Sequence, residues 1–394
     1  MTLSTLPLSY CTNVHPGQSV EEVVNGISEY TAGVRRQIDR PMAAGLWLAR
    51  DVVTELHQSE AQLERLAQTL WQHDLSCYTL NAFPYGNFHS DRVKEQVYLP
   101  DWASKDRVQY TKDCAKLLAA MLPEGAEGSI STVPLGGRMN PTGPEFHATC
   151  LHHLVQMGRF LKDLHRETGR CIRLAVEPEP MCEMSSIPDD TVPLFRTLFE
   201  MADALSCEDT VREYIGLCFD VCHQAVLFEQ IPRSIDQVID AGIRINKVHI
   251  TNAVELIRPA ENAAGREVLQ TFVEPRYLHQ TYAKTSSGKI LSRTDLLTED
   301  IQKSPADEFL QAEAWRVHFH VPVYADELGP LRTTRADLQA ALRRVAMMEY
   351  APHLEVETYT WPVMPDATEQ KGLVDQISQE ITAAYDMMAH ASGQ

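Results

Sequence analysis

Eight short runs rich in β-branched and aromatic residues recur along this chain, and longer segments of helical period lie between them. The runs are 7–13 (PLSYCTN), 45–50 (GLWLAR), 76–82 (SCYTLNA), 128–133 (GSISTV), 172–177 (IRLAVE), 215–220 (IGLCFD), 245–250 (INKVHI) and 353–359 (HLEVETY). Apolar residues spaced i, i+3, i+4 fill 19–37, 56–73, 105–122, 148–168, 192–206, 234–241 and 333–348. A strand whose chain returns through a crossover helix pairs in parallel with its predecessor. Eight such units predict an α/β fold of the (β/α)8 TIM-barrel type, with residues 1–394 forming a single barrel domain. A doubly wound open sheet alternates in the same way, but no GxGxxG follows the first strand.

One stretch interrupts the rhythm. Residues 254–312 are long, polar and proline-bearing, and they precede an extended run, Trp315 to Val323. The sequence therefore predicts an insertion over 254–325, placed on the barrel mouth after the seventh strand. Loops at the carboxyl ends of barrel strands build the site, so an insertion there is expected to be functional.

The charge balance narrows the partners. Acidic residues outnumber basic ones 54 to 35, for a net charge of −19. The longest basic clusters are pairs such as Arg35-Arg36, so a phosphate backbone would be repelled and nucleic acid is excluded as a partner. Nine cysteines without CxxC spacing point away from a disulfide framework and toward a reducing cytoplasm. The N-terminus lacks a basic segment followed by an apolar one, and no apolar stretch reaches the roughly 18 residues a membrane span needs. A soluble, cytoplasmic protein is expected.

Inward-pointing polar groups in a barrel gather at the carboxyl-terminal mouth, beyond apolar interior layers. Here the last inward positions are metal-ligand types. The fifth strand ends LAVEPEP, with Glu177 and Glu179 on one face; the sixth ends CFDVCH, with Asp220 and then His223; the seventh ends KVHITNA, with His249. In the insertion, VHFHV puts His318 and His320 on one face, and the eighth strand ends LEVETYTW, with Glu355 and Glu357 on one face. Singly, each has an ordinary explanation: a core histidine, an Asp capping the next helix, a solvated Glu-Pro run. Together they point to a divalent cation, because burying several such groups side by side is costly unless a cation pairs them.

A strand ending in Glu, an Asp-x-x-His strand end, an apolar-His-apolar strand and a final strand ending in Glu resemble the xylose-isomerase-like TIM-barrel superfamily of sugar isomerases, epimerases and endonuclease IV. The similarity runs from about Leu174 to Trp361, and CFDVCHQA is especially similar to the endonuclease IV version of the motif. YCTNVHPG, TLNAFPYGNFH, RVKEQVYLPDW, EGSISTVPLG, VEPRYLHQ, RVHFHVPVY and LEVETYTW resemble the EboE family, barrel proteins encoded in Ebo metabolite-traffic gene clusters. The superfamily resemblance implies Glu177, Asp220, His249 and Glu357 as metal ligands and His223 as a neighbour of the substrate. His318 and His320 fall where endonuclease IV has Asp-x-His, and no early-strand histidine clearly matches, His15 and His89 included; a full trinuclear centre is not expected.

A hard divalent ion in such a set (manganese, magnesium or zinc) polarises the hydroxyl and carbonyl oxygens of a small polyol or hydroxy-ketone. Glu177 and Glu357 would then alternate as base and acid, with His223 holding a substrate hydroxyl. Tyr85, His89, Tyr359 and Trp361 are candidates for the substrate wall, and Arg92 and Arg276 for an anionic group. Three functions stay open. They are a metal-dependent isomerase or epimerase of a sugar-like or cyclitol-like molecule in an Ebo-type pathway, an endonuclease IV-like phosphoester hydrolase, and a non-catalytic metabolite-binding or traffic protein with protein partners from the same pathway.

Overall fold

The computed structural model describes residues 3, 6–140, 142–301, 306–365 and 372–393. Seven strands come first: β1 (Leu8–Cys11), β2 (Met42–Trp47), β3 (Ser76–Asn81), β4 (Gly128–Thr132), β5 (Ile172–Val176), β6 (Ile215–Asp220) and β7 (Ile245–Ile250). The chain then leaves for six strands, β8 (Val254–Ile257), β9 (Thr281–Lys284), β10 (Ile290–Arg293), β11 (Ala314–Val317), β12 (Glu327–Leu328) and β13 (Leu331–Thr333), and returns as β14 (His353–Val356). The seven strands and β14 close a parallel barrel in the order β1-β14-β7-β6-β5-β4-β3-β2. This is the TIM barrel the alternation predicts. All eight strands fall within or beside the expected runs.

The differences have local causes. β2 begins at Met42, three residues before the expected run, because MAAGLW is buried throughout yet lacks β-branched residues. The helical segment expected at 56–73 begins at Arg50 and splits at Ser59, whose side chain accepts from the Gln62 N–H and so caps a second helix, Glu60–Gln72. A C-terminal helix, Leu373–Ala391, packs against β1 and β14 and was not anticipated. Its buried Glu380 accepts hydrogen bonds from Val323 N–H, Thr358 Oγ and Trp361 Nε1, tying the insertion's return to the loop after β14.

The insertion forms its own six-stranded sheet, ordered β10-β9-β11-β8-β13-β12 and running on to Thr333. Leu256, Phe309, Trp315, Val317 and Phe319 are among the residues of a separate apolar cluster beneath it. Alternation that looked polar in sequence is that of strands with one solvated face.

The barrel interior departs from the expected apolar layers. Lys247 Nζ lies 2.5 Å from Glu355 Oε2, both wholly buried, and also donates to Ser131 Oγ. Burial opposes both charges, yet Lys247 holds the Glu355 carboxyl down at about 2, and Glu355 holds the ammonium above its ordinary range. The space comes from Gly45: a Cβ there would lie 1.4 Å from Glu355 Oε1. Removing one partner of a buried pair strands the other charge, so Lys247→Met is expected to lower unfolding free energy by about 3–5 kcal/mol in urea denaturation. A loss under about 1 kcal/mol would contradict this.

Candidate metal centre

Register delivers the first ligands. Asp220 stands beside His249 across β6 and β7, and Glu355 beside His249 across β14 and β7. Glu177 follows β5 directly and Glu357 follows β14 directly, both on the same end of the barrel. Around His249 Nδ1 lie Glu177 Oε1 at 3.0 Å, Glu357 Oε2 at 3.2 Å and Asp220 Oδ2 at 3.4 Å. Donors about 2.0–2.2 Å from a common ion stand roughly 3–3.6 Å apart, so this spacing is that of a ligand set. Glu177, Asp220, His249 and Glu357 together offer four ligand atoms, all within 4.8 Å of one another.

The unmatched polar atoms tell the same story. Glu177 Oε2 and Asp220 Oδ2 are buried without a hydrogen-bond partner, a costly state that a cation would relieve. Their other oxygens are committed. Asp220 Oδ1 accepts from the His223 N–H at 3.0 Å, capping the helix Val221–Val226, and from Thr251 Oγ at 2.7 Å. Glu357 Oε1 accepts from Asn13 Nδ2 and Asn81 Nδ2, each at 2.8 Å. His249 Nε2–H donates to Glu355 Oε2 at 3.2 Å, which turns Nδ1 toward the carboxylates.

A second convergence lies alongside. His223 Nδ1 donates to the Pro178 carbonyl, His318 Nδ1 to Gln280 Oε1 and His320 Nδ1 to the Glu357 carbonyl, at 3.0, 2.6 and 2.7 Å. Those partners assign the tautomers, so all three Nε2 atoms carry lone pairs. The lone pairs face one another, with His318 Nε2 3.1 Å from that of His223 and 3.3 Å from that of His320. Burial holds all three imidazoles below their ordinary pKa, hence neutral, which is the form that binds metal. Asp220 with His223 and His320, and Glu179 with His223 and His318, form further groups of suitable spacing.

Above these donors opens a cavity lined by Asn13, Asn81, Glu177, Glu179, His223, His318, Glu357 and Tyr359, with an outer apolar wall. Other residues proposed for substrate point elsewhere. Arg92 is exposed and paired with Glu95, Tyr85 packs on Tyr110, and the Trp361 indole N–H is committed to Glu380. His89 Nε2 meets the Asn13 carbonyl beside the cavity, and Arg276 stands off the lining, near the Tyr277 ring. Sequence reasoning missed Asn13, Asn81, Tyr98 and Gln280. Asn13 and Asn81 sit within the motifs YCTNVHPG and TLNAFPYGNFH, and a search for early-strand amides in place of histidines would have found them.

Burial presses His249 toward neutrality, but the carboxylates of Glu177 and Glu357 oppose it and the imidazolium is held well above its ordinary pKa. Without metal, then, Nδ1 carries a proton that an entering ion must displace. Apparent metal affinity is therefore expected to rise at least about tenfold per pH unit between pH 6 and 8, measured by competition with a chelating dye. A pH-independent affinity would sink this reading.

No family model matches the chain, and no curated protein does. Solved structures do. A D-tagatose 3-epimerase-like protein superposes with a TM-score of 0.50 at 10% identity, covering 98% of this chain and 99% of that one. A D-psicose 3-epimerase solved in the presence of D-fructose gives 0.49 at 10% identity, covering 99% and 100%. An IolI protein with a bound zinc atom gives 0.48 at 13% identity, covering 98% of each. At such identities the likeness to the first of these shows the fold they share.

Proposed function

We propose that this protein is a metal-dependent isomerase or epimerase of a small, sugar-like or cyclitol-like polyol or hydroxy-ketone. One observation carries the reading: four buried donors converge, two with orphaned oxygens, at the foot of a cavity that Glu177 and Glu357 both line. Three carboxylates and one imidazole suit manganese, magnesium or zinc. When bound, such an ion supplies Lewis acidity to the carbonyl and hydroxyl oxygens of the substrate. Glu177 and Glu357 reach the cavity from either side of the β6–β7 pair. Glu177, through the oxygen not spent on the ion, takes the proton from the carbon next to the carbonyl. Glu357 is steadied by Asn13 and Asn81 and returns the proton from the other side. His223, lining the same cavity, orients a hydroxyl.

The imidazole trio favours a second reading, a hydrolase with more than one ion, as in endonuclease IV. The two are separated by incubating the metal-loaded protein with ketoses in deuterium oxide and, in parallel, with bis(p-nitrophenyl) phosphate. Deuterium uptake at carbon supports the isomerase, p-nitrophenolate release the hydrolase, and tight binding with neither supports a traffic protein. The EboE-like motifs support a place in an Ebo-type pathway beside partner proteins. Nine free cysteines, all buried except Cys207, support a reducing cytoplasm. Among the described residues no helix is long and apolar enough to cross a membrane.

A further inference from the structure

The cavity lining is of two kinds. The metal donors stand at the strand ends, and Phe88 from the loop after β3, Tyr277 from the insertion and Tyr359 from the loop after β14 build an apolar wall. These rings meet in one cluster, with centroids 4.9 Å apart for Phe88–Tyr277, 5.3 Å for Phe88–Tyr359 and 5.0 Å for Tyr277–Tyr359. The Tyr277 hydroxyl is committed to the Phe88 carbonyl, and the Tyr98 hydroxyl to Glu179 Oε1. Val93, Val97 and Leu278 complete the wall.

Lys94 is the cation that lines the cavity, and it is fully engaged. Its Nζ donates to the Tyr277 carbonyl at 2.6 Å, to Asp295 at 2.7 Å and to the Glu274 carbonyl at 3.2 Å. An ammonium has three donors, so none is left for a ligand. It clasps the insertion to the loop after β3, where the Val93 and Lys94 N–H groups both donate to the Arg276 carbonyl. Among the described residues that line the cavity, none offers a phosphate a free ammonium or guanidinium donor, and Glu177, Glu179 and Glu357 would face it. Hydroxyls at the far end of a free sugar would be desolvated against rings and aliphatic groups, which is costly without a partner.

We propose that the substrate is amphipathic and unphosphorylated: a hydroxylated carbonyl head on the donor floor, carrying an apolar body that lies against Phe88, Tyr277 and Tyr359. This rests on the isomerase reading for the identity of the head. The wall itself asks for the body.

The test is calorimetric binding to the manganese-loaded full-length protein. Probes are 1-hydroxybutan-2-one, 1-hydroxyhexan-2-one and 1-hydroxyoctan-2-one, with D-fructose and D-fructose 6-phosphate for comparison. Affinity should climb by up to about fourfold per methylene, the value for full burial. Fructose 6-phosphate should bind at least about tenfold more weakly than fructose. Phe88→Ala and Tyr277→Ala should flatten the chain-length dependence with metal content unchanged. Equal affinities along the series, or tightest binding by the phosphate, would overturn the proposal. Deuterium exchange on the same compounds keeps the two ideas apart. Length-dependent binding without exchange removes the reaction and keeps the ligand class, whereas exchange with fructose and no gain from the alkyl chain does the reverse.

Discussion

Asp220→Asn is expected to abolish tight metal binding while leaving the metal-free fold in place. The two oxygens of Asp220 have separate tasks. Oδ1 caps the helix Val221–Val226 and receives Thr251; Oδ2 faces His249 Nδ1 without a hydrogen bond. An amide retains an acceptor for the cap but removes the charge the cation needs and sets N–H groups against it. Asp220 also belongs to the group with His223 and His320, so both donor sets suffer. Losing an outer partner of a metal ligand costs about 10–100-fold in affinity, and losing a ligand itself should exceed that. Asp220→Ala would add the loss of the cap, about 1 kcal/mol. Elemental analysis after dialysis, with far-UV circular dichroism as the fold control, decides the matter. One equivalent of metal retained at parental affinity would remove Asp220 from the ligand set.

Glu357→Gln and Glu177→Gln are expected to slow deuterium exchange into substrate by about 10²–10⁴-fold, the range for a positioned acid or base. Glu357→Gln is the cleaner variant, because its side-chain oxygen can still accept from Asn13 and Asn81. Direction carries the mechanism. If the carboxylates serve opposite faces of one carbon, each variant loses exchange from one epimer and keeps it from the other. If one carboxylate shuttles the proton between neighbouring carbons, a single variant loses both directions. Exchange at the parental rate in both variants, with metal still bound, would leave the carboxylates as ligands only.

Much of this was readable in the chain because period-two strands fix which end residues face inward. That rule puts Glu177, Asp220, His249 and Glu357 among the inward end residues, and the superfamily resemblance selects them from the others as ligands; the structure brings them within 4.8 Å of one another. The partners that orient them were hidden. Glu355 was visible only as a face-mate of Glu357, and nothing local reveals that Lys247 meets it inside the barrel, since their pairing depends on closure. The sequence shows that Arg92 is charged but not that Glu95 takes up that charge, and it does not show that Glu380, from an unanticipated helix, captures Trp361. The insertion is legible from its position after the seventh strand, yet its sheet is obscured by strands of only two to four residues.

The void at Gly45 binds the history of two distant positions. A lineage that acquires alanine there has nowhere to keep the long acid at 355, and without that acid the lysine at 247 is left buried with no counter-charge. Drift at any of the three is thus blocked until the others move. Descendants and cousins of this chain should exchange Gly45, Lys247 and Glu355 as a set or retain them as a set.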